Sequence, residues 1–494
     1  MHACPPPVPP RSAARPRRRR RELASGSSID AAGRGRNVTN PILPLAELVA
    51  QTRYEDLPPR ATEAAKTFIL DTIGVGAGGA AAPRVAELVE TAASWGAGEE
   101  ATVWVDSRKL PAGAAAVVNA YQIHALEWDC VHEPAVVHPM ATLFSALVAA
   151  AERRGARGLP VSGQELLLAT VLGVEIACTI GAASRSPMRF FRPATVGGFG
   201  VVAGAGKMTG LDAPTLVDAF GILYGQTSGT LQAHLEGSMV LGLQVGFNAR
   251  AGLNAVDLAA AGLTGPHDVL VGPYGFYRLF EPESDIDTWW SQLGQTWQIT
   301  RLSHKPFPSG RLTHAAIDAV QRARKERNFT ADEVESIHGR VTPLTYRLVG
   351  RPDIPDPAPN YARLCIPFVM ATECRRGEVG PEAFAGAALT DAATHALAAR
   401  IRVEQDDNPD LNALWPQRFA IRLKDGWTWD KVVDKAIGHP DNPLARAAQL
   451  AKFRRAWALA PRPLADADAV IGAVEALESL ADVRDLTALL RGRR

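Results

Sequence analysis

The sequence predicts a mainly α-helical protein with a smaller α+β region towards its C-terminal end. Three observations carry this. From residue 41 to about residue 300, apolar side chains recur at helical spacing and strand signals are few. Between about 305 and 435 the pattern changes to short alternating runs with turn residues between them. From Leu444 the helical period returns.

At 494 residues the chain can bury a large core and is long enough for two domains or more. With 53 basic and 52 acidic residues, no global field points to nucleic acid or an anionic membrane. The five cysteines, Cys4, Cys130, Cys178, Cys365 and Cys374, include no C-x-x-C pair. A disulfide framework or a structural zinc site is therefore not expected, which suits a reducing cytoplasm. No apolar run reaches the roughly 18 to 20 residues that a membrane span needs.

Residues 1–39 are rich in Pro, Arg, Gly and Ser and contain the run Arg17 to Arg21. Such a stretch buries too little apolar surface to order itself, so a disordered extension is expected. A helical part is then expected over 40–304, an α+β part over 305–435 and a helical return over 436–494. Leu43 to Tyr54 and Pro59 to Gly74 read as amphipathic helices, the second broken by the glycines of 74–79. Pro83 to Trp95, Ala112 to Tyr121, Gln164 to Ala182, Pro214 to Leu231 and Phe247 to Ala261 are further helices. Arg189 to Gly210 fails both nucleotide-loop patterns. Gly204 and Gly206 are not followed by a glycine three residues on, and Met208 stands where a phosphate loop needs Ser or Thr. It reads instead as a helix whose glycines permit close packing, entered through a loop that holds Arg192 and Thr195. In the α+β part, Glu333 to Val341 and Arg400 to Glu404 read as strands, and Thr313 to Arg327 and Pro381 to Ala399 as helices. Phe419 to Val433 is a hairpin turning at Asp425-Gly426. Val470, Val474, Leu477 and Leu480 give the tail an apolar stripe.

Chemistry concentrates in Asn119 to Glu152. His124, Glu127, Asp129, His132, Glu133 and His138 fall within fifteen residues, and the small-residue apolar run Met140 to Ala151 follows. Acid and base side chains beside a buried helix are what proton transfer requires. Each of these residues taken singly is more simply a cap or a core hydrogen-bonding group. The metal-ligand types in the cluster match neither H-E-x-x-H nor a zinc-finger spacing, so no metal is expected. Cys130 reads as a packing residue.

Six stretches in order carry a resemblance. They are YEDLPPRATEAAKTFILDTIGVGAGG (54–79), NAYQIHALEWDCVHEPAVVHP (119–139), RPATVGGFGVVAGAGKMTGLD (192–212), LQVGFNARAGLNAVDLAAAGLTGPHDVLVGPYGF (243–276), HKPFPSGRLTHAAIDA (304–319) and GHPDNPL (438–444). Together they resemble the MmgE/PrpD family, which includes 2-methylcitrate dehydratase, cis-aconitate decarboxylase and an iminodisuccinate epimerase. The resemblance implies a large helical domain built from both ends of the chain, an inserted α+β domain and an active site between them. It also implies a homodimer, a small di- or tricarboxylate substrate and no cofactor.

Residue by residue, the family's acidic motif is here Leu126-Glu127-Trp128-Asp129-Cys130-Val131-His132, and its His-Pro step is His138-Pro139. Its His-Pro-x-Thr segment is Arg192-Pro193-Ala194-Thr195, with arginine for histidine. Its Lys-Arg-Leu-His segment is Leu241-Gly242-Leu243-Gln244, with leucine for lysine and glutamine for histidine. Its lysine-to-histidine segment runs from Lys305 to His314. The resemblance thus implies a cofactor-free lyase, dehydratase-like, that removes a proton α to a carboxylate. Decarboxylation, epimerisation and a non-catalytic binding role remain as alternatives. His138 and either His132 or His314 would be acid and base, with Asp129 orienting an imidazole or binding substrate. Glu127, Arg192, Thr195, Gln244, Lys305 and Arg311 would bind the substrate, the cations matching its carboxylates.

Overall fold

A computed structural model of the chain describes residues 40–493, together with 28–29 and 35–36. The chain divides into two compact units, Met1–Asn40 and Pro41–Arg494. In the first, the described residues form a two-residue antiparallel pairing of Ser28–Ile29 with Gly35–Arg36. The expectation of disorder over residues 1–39 falls otherwise outside the described residues. The second unit holds everything discussed below.

Its N-terminal part is a helical assembly of α1 (Ile42–Gln51), α2 (Pro59–Gly79), α3 (Val85–Ala93), α4 (Ala112–His124), α5 (Pro139–Ala156), α6 (Gly163–Ala182), α7 (Gly197–Thr209), α8 (Ala213–Tyr224) and α9 (Val240–Ala260). Alanine and glycine let these helices lie close. A Cβ on Gly200 of α7 would stand 2.6 Å from the Gly173 carbonyl oxygen of α6, so this pair tolerates nothing larger. The glycine-rich 197–209 segment is therefore a packing helix, as its failed nucleotide patterns suggested. Helix α6 starts at a capping box in which Ser162 and Glu165 satisfy each other's backbone N–H.

Three expectations need correction. Helix α2 does not stop at Gly74 but runs to Gly79. A Cβ at Gly79 would meet the Gln122 carbonyl oxygen at 1.8 Å, so close approach to α4 outweighs glycine's poor helix propensity. Pro381 to Ala399 is not one helix. It is two short 3-10 turns, Pro381–Phe384 and Gly386–Ala388, followed by Ala392–Ala398. And one helix, α6, is long and apolar enough to cross a membrane by length and composition; 94% of its apolar window is buried inside the fold.

The α+β part is built on a four-stranded sheet. Its strands β1 (Val334–Val341), β2 (Ile401–Gln405), β3 (Gln417–Leu423) and β4 (Thr428–Val433) lie in the order β4-β3-β1-β2. Only β1 and β2 run parallel. β3 and β4 form the expected hairpin, with Gly426 at φ 90° in its turn, where a side chain would be strained. Helix α10 (His314–Glu326) packs across β3 and β4, and α11 (Ile366–Arg376) packs against β2. After the sheet, α12 (Arg446–Trp457) and α13 (Ala467–Glu475) lie back on α2, where Phe453 seats against Gly74. Val470, Val474 and Leu477 of the tail are buried.

Candidate active site

The loop between α4 and α5, residues 125–138, is fixed from both later parts of the chain. Val131–His132 pairs with Leu302–Ser303, just before the α+β part. The Trp128 indole donates to the Pro306 carbonyl oxygen (3.2 Å). Lys452 of α12 donates to the Trp128 carbonyl oxygen (2.8 Å) and pairs with Asp71 of α2 (2.7 Å). Glu127 sits at φ 51°, a left-handed conformation that costs a side chain about 1–2 kcal/mol. Lys305 holds it there, binding both its carbonyl oxygen (3.0 Å) and its carboxylate (2.8 Å).

Three side chains meet inside this frame. His124, at the end of α4, places Nδ1 3.2 and 3.1 Å from the two Asp129 oxygens. His138, just before Pro139 opens α5, places Nδ1 3.2 Å from Asp129 Oδ2. The two imidazole rings stand nearly edge to face, 4.9 Å apart. His124 Nε2 lies 3.2 Å from Glu127, which in turn pairs with Lys305. Asp129 is fully buried, whereas the His138 side chain keeps 12% exposure and its Nε2 is neither enclosed nor bonded to protein.

The charges follow from these neighbours. Burial opposes a charge on His124, but Asp129 and Glu127 outweigh it and raise the His124 pKa. Burial likewise opposes ionisation of Glu127, yet Lys305 and the histidines bring it down to about 2. Asp129, against burial, is held well below the usual carboxylate range by His124 and His138. His138 goes the other way: burial and then Lys305 lower its pKa. The two carboxylates are thus held in their charged form, and His124 is biased towards its protonated form by the acids beside it. His138 is biased towards its neutral form; its Nδ1 lies 3.2 Å from Asp129 Oδ2 without an aligned hydrogen bond, and its Nε2 makes no hydrogen bond to protein.

Of the catalytic candidates in the sequence, Asp129 and His138 come together. His132 and His314 do not join them. His132 is fully buried; Nε2 faces the Gln298 side-chain oxygen (3.0 Å) and Nδ1 accepts from Ala135 N–H (3.2 Å). Burial takes its pKa to about 4. His314 Nε2 donates to the Ser309 carbonyl oxygen (3.2 Å), and Nδ1 accepts from Arg311 (3.3 Å). With both ring nitrogens occupied, neither can take a substrate proton without breaking a buried hydrogen bond.

The substrate-binding candidates also sort by partner. Arg192 grips Glu281 through Nε (2.7 Å) and Nη2 (3.0 Å) in a buried ion pair, so it does not offer its fork to a ligand. Arg311 is tied to Glu133 (2.8 Å) and to the Ile437 and Ala436 carbonyl oxygens (2.8 and 3.1 Å). Lys305 is fully buried on Glu127, and both act on the site through the loop they shape. Thr195 and Gln244 pack round the 228–230 segment, where Gln244 accepts from Thr230 N–H. The Thr195 hydroxyl and the Gln244 amide nitrogen are buried without a partner.

Sequence reasoning gave no role to four residues that the structure puts at or behind the site. His124 lay inside the cluster, but only the fold shows that it shares Asp129 with His138. His234, from the short helix Gln232–Glu236, accepts from Arg351 at Nδ1 (3.1 Å), and its pKa is depressed to about 3 by burial and then by Arg351. Glu127, His124 and His138 all act on its charge. Arg363 and Lys452 come from remote helices and carry no local motif; the Lys452 contact to Trp128 spans 324 residues. Among the described residues, His124, Asp129 and His138 could also hold a metal ion, since their donor atoms lie within 4.8 Å of one another.

Residues 44–288 match the MmgE/PrpD N-terminal domain, and residues 307–475 match the MmgE/PrpD C-terminal domain. Among curated proteins, the chain is 29% identical to cis-aconitate decarboxylase of Mus musculus, covering 86% of this chain and 88% of that one. It is likewise 29% identical to the cis-aconitate decarboxylase of Homo sapiens, over 88% and 91% of the two chains. It is 27% identical to a cis-aconitate decarboxylase-like protein, oryM, of Aspergillus oryzae, over 91% and 96%.

Proposed function

The chain belongs to the MmgE/PrpD family, and from that premise we propose that it is a lyase of a small di- or tricarboxylate, working through proton transfer at a carbon next to a carboxylate. The single observation that carries this is the environment of His138. One ring nitrogen faces a buried carboxylate and the other is unbonded and open. The Asp129 carboxylate, 3.2 Å from Nδ1, favours the tautomer that carries its proton there and the lone pair on Nε2, and it stabilises the imidazolium formed when Nε2 takes a proton.

In the elimination direction, Nε2 of His138 takes the proton from the α-carbon. The electron pair left behind delocalises into the adjacent carboxylate and then expels hydroxide from the neighbouring carbon, with a proton completing water. In decarboxylation the carbon–carboxylate bond breaks to release CO₂, its electron pair stays on the carbon as a carbanion, and His138, having first taken a proton from solvent water, delivers that proton to it. Both courses develop negative charge beside the carboxylate, which a cation of the site must oppose. The names of the similar curated proteins make cis-aconitate the first substrate to try. Leu241 and Gln244 stand where the resemblance implies lysine and histidine, which weakens both the decarboxylase and the 2-methylcitrate dehydratase readings, so citrate and 2-methylcitrate are tested beside it.

The test is proton exchange in deuterium oxide followed by NMR, with those three acids, on the wild type and His138→Asn. The proposal expects deuterium at one carbon of at least one acid, with loss of water or CO₂, and a variant that folds but does neither. Exchange and turnover that survive in folded His138→Asn overturn the role of His138. Exchange with no loss of water or CO₂ would make the enzyme an epimerase.

A further inference from the structure

Arg363 closes the short helix Pro359–Arg363, which lies against the helix carrying His234. Gly237, at φ 69°, ends that second helix, and a Cβ there would stand 2.7 Å from Tyr361 N. The Arg363 carbonyl oxygen accepts from Gly310 N–H (3.0 Å), so the same backbone braces the Lys305–Arg311 loop. The side chain is 4% exposed. Its guanidinium donates through Nη1 to the Asn360 side-chain oxygen (3.1 Å) and lies 5.2 Å from the Phe384 ring centre. Among the described residues no carboxylate pairs with it. Nε is buried without a partner, and Nη2 has no protein partner either.

This is unlike every other buried cation of the site. Lys305 has Glu127, Arg311 has Glu133, Lys452 has Asp71 and Arg192 has Glu281. The carboxylates Glu127 and Asp129 are already engaged by Lys305 and His124. A buried guanidinium without a carboxylate partner therefore stands beside the Lys305–Arg311 loop, to which its own backbone is bonded, and beside the helix of His234. Such a charge is expensive to maintain for packing alone. The edge formed by Nε and Nη2 is the same edge with which Arg192 holds Glu281, and it matches a carboxylate bidentately.

We propose that Arg363 is the anchor for a carboxylate of the substrate remote from the reacting carbon. It thereby selects acids with two or more carboxylates over monocarboxylates. The proposal rests on the reading of this site as one for a carboxylic acid. The geometry gives it two signatures that a structural arginine would not show. Removing the charge should leave the unliganded protein as stable or more stable, because an unpaired buried cation disappears. It should also weaken binding far more than it slows the chemical step, because the anchored carboxylate does not react.

The experiment uses tricarballylate, a tricarboxylate with no hydroxyl to eliminate, titrated calorimetrically into the full chain. Wild type, Arg363→Gln and Arg363→Lys are compared, and the Tm of each is measured without ligand. The expected result is binding weakened about tenfold or more in Arg363→Gln, partly restored in Arg363→Lys, with Tm unchanged or raised. Where turnover is measurable, KM should rise while kcat changes little. Undiminished binding by Arg363→Gln overturns the anchor alone. So does weakened binding with a lowered Tm and no rescue by lysine. Failure of the wild type to bind tricarballylate overturns the carboxylate-site reading, and the anchor with it.

Discussion

His132 and His138 stand six residues apart in one loop, and the fold gives them opposite roles. Both are histidines whose burial lowers their pKa. His132 has a partner on each ring nitrogen and no exposure. His138 has a buried carboxylate on one nitrogen and nothing on the other. A histidine becomes a base when one ring edge is held and the other left open. Burial alone only makes it neutral.

The comparison breaks most visibly at His138. His138→Asn should lower turnover about 10² to 10⁴-fold with the fold intact, as expected for loss of a positioned general base. Asp129→Asn should follow closely, because the amide no longer fixes the tautomer or stabilises the imidazolium. Combining the two should cost little more than His138→Asn alone, since they act as a unit. His132→Gln should do the reverse. Specific activity per folded molecule stays near wild type, while denaturant melts show a loss of about 1–3 kcal/mol for the orphaned Gln298 contact.

The same contrast has a pH signature. His132 and His304 titrate near 4 and His234 near 3 in the folded state, all through burial first, against an ordinary value of 6.5. In the unfolded chain they bind protons as pH falls below about 6.5, while the folded state does not. Stability should therefore fall on acidification from about pH 6.5 towards pH 4, by about 1.4 kcal/mol per pH unit for each such histidine. Below about 4.5, protonation of Glu127, lowered to about 2, adds to the loss. Activity should keep its acid limb below 6.5, because the pKa of the proposed base, His138, is lowered. The smallest expected effect is that of chelation: prolonged dialysis against EDTA should leave activity unchanged. Activity lost to EDTA and restored by a divalent ion would convert His124, Asp129 and His138 from a proton relay into a metal site.

Much of the fold was legible because it is written locally. The hairpin at Asp425-Gly426, the alternation of β1 and the periods of α5 and α6 all appear where apolar spacing placed them. Helix α2 ran past its expected end because its glycines answer to Gln122 and Phe453, which local propensity cannot weigh. At the site, residue types clustered visibly in the loop before α5, and Asp129 with His138 was recoverable. Which cations were already taken was not. Glu281, which occupies Arg192, lies 89 residues away, and Glu133, which occupies Arg311, lies 178. Arg363 was invisible for the opposite reason: its distinction is the lack of an acid, and no sequence motif reports that.

The contact between Lys452 and the Trp128 carbonyl oxygen, next to Asp129, also bears on how the protein is made. Every side chain proposed for the site is synthesised before residue 364, yet the loop that holds Asp129 is clamped by a lysine synthesised some ninety residues later. A nascent chain released early, or a gene with a stop codon after codon 445, would encode the whole reactive constellation and still leave its central loop unpinned. Nonsense and frameshift lesions between codons 364 and 452 should therefore behave as loss-of-function alleles.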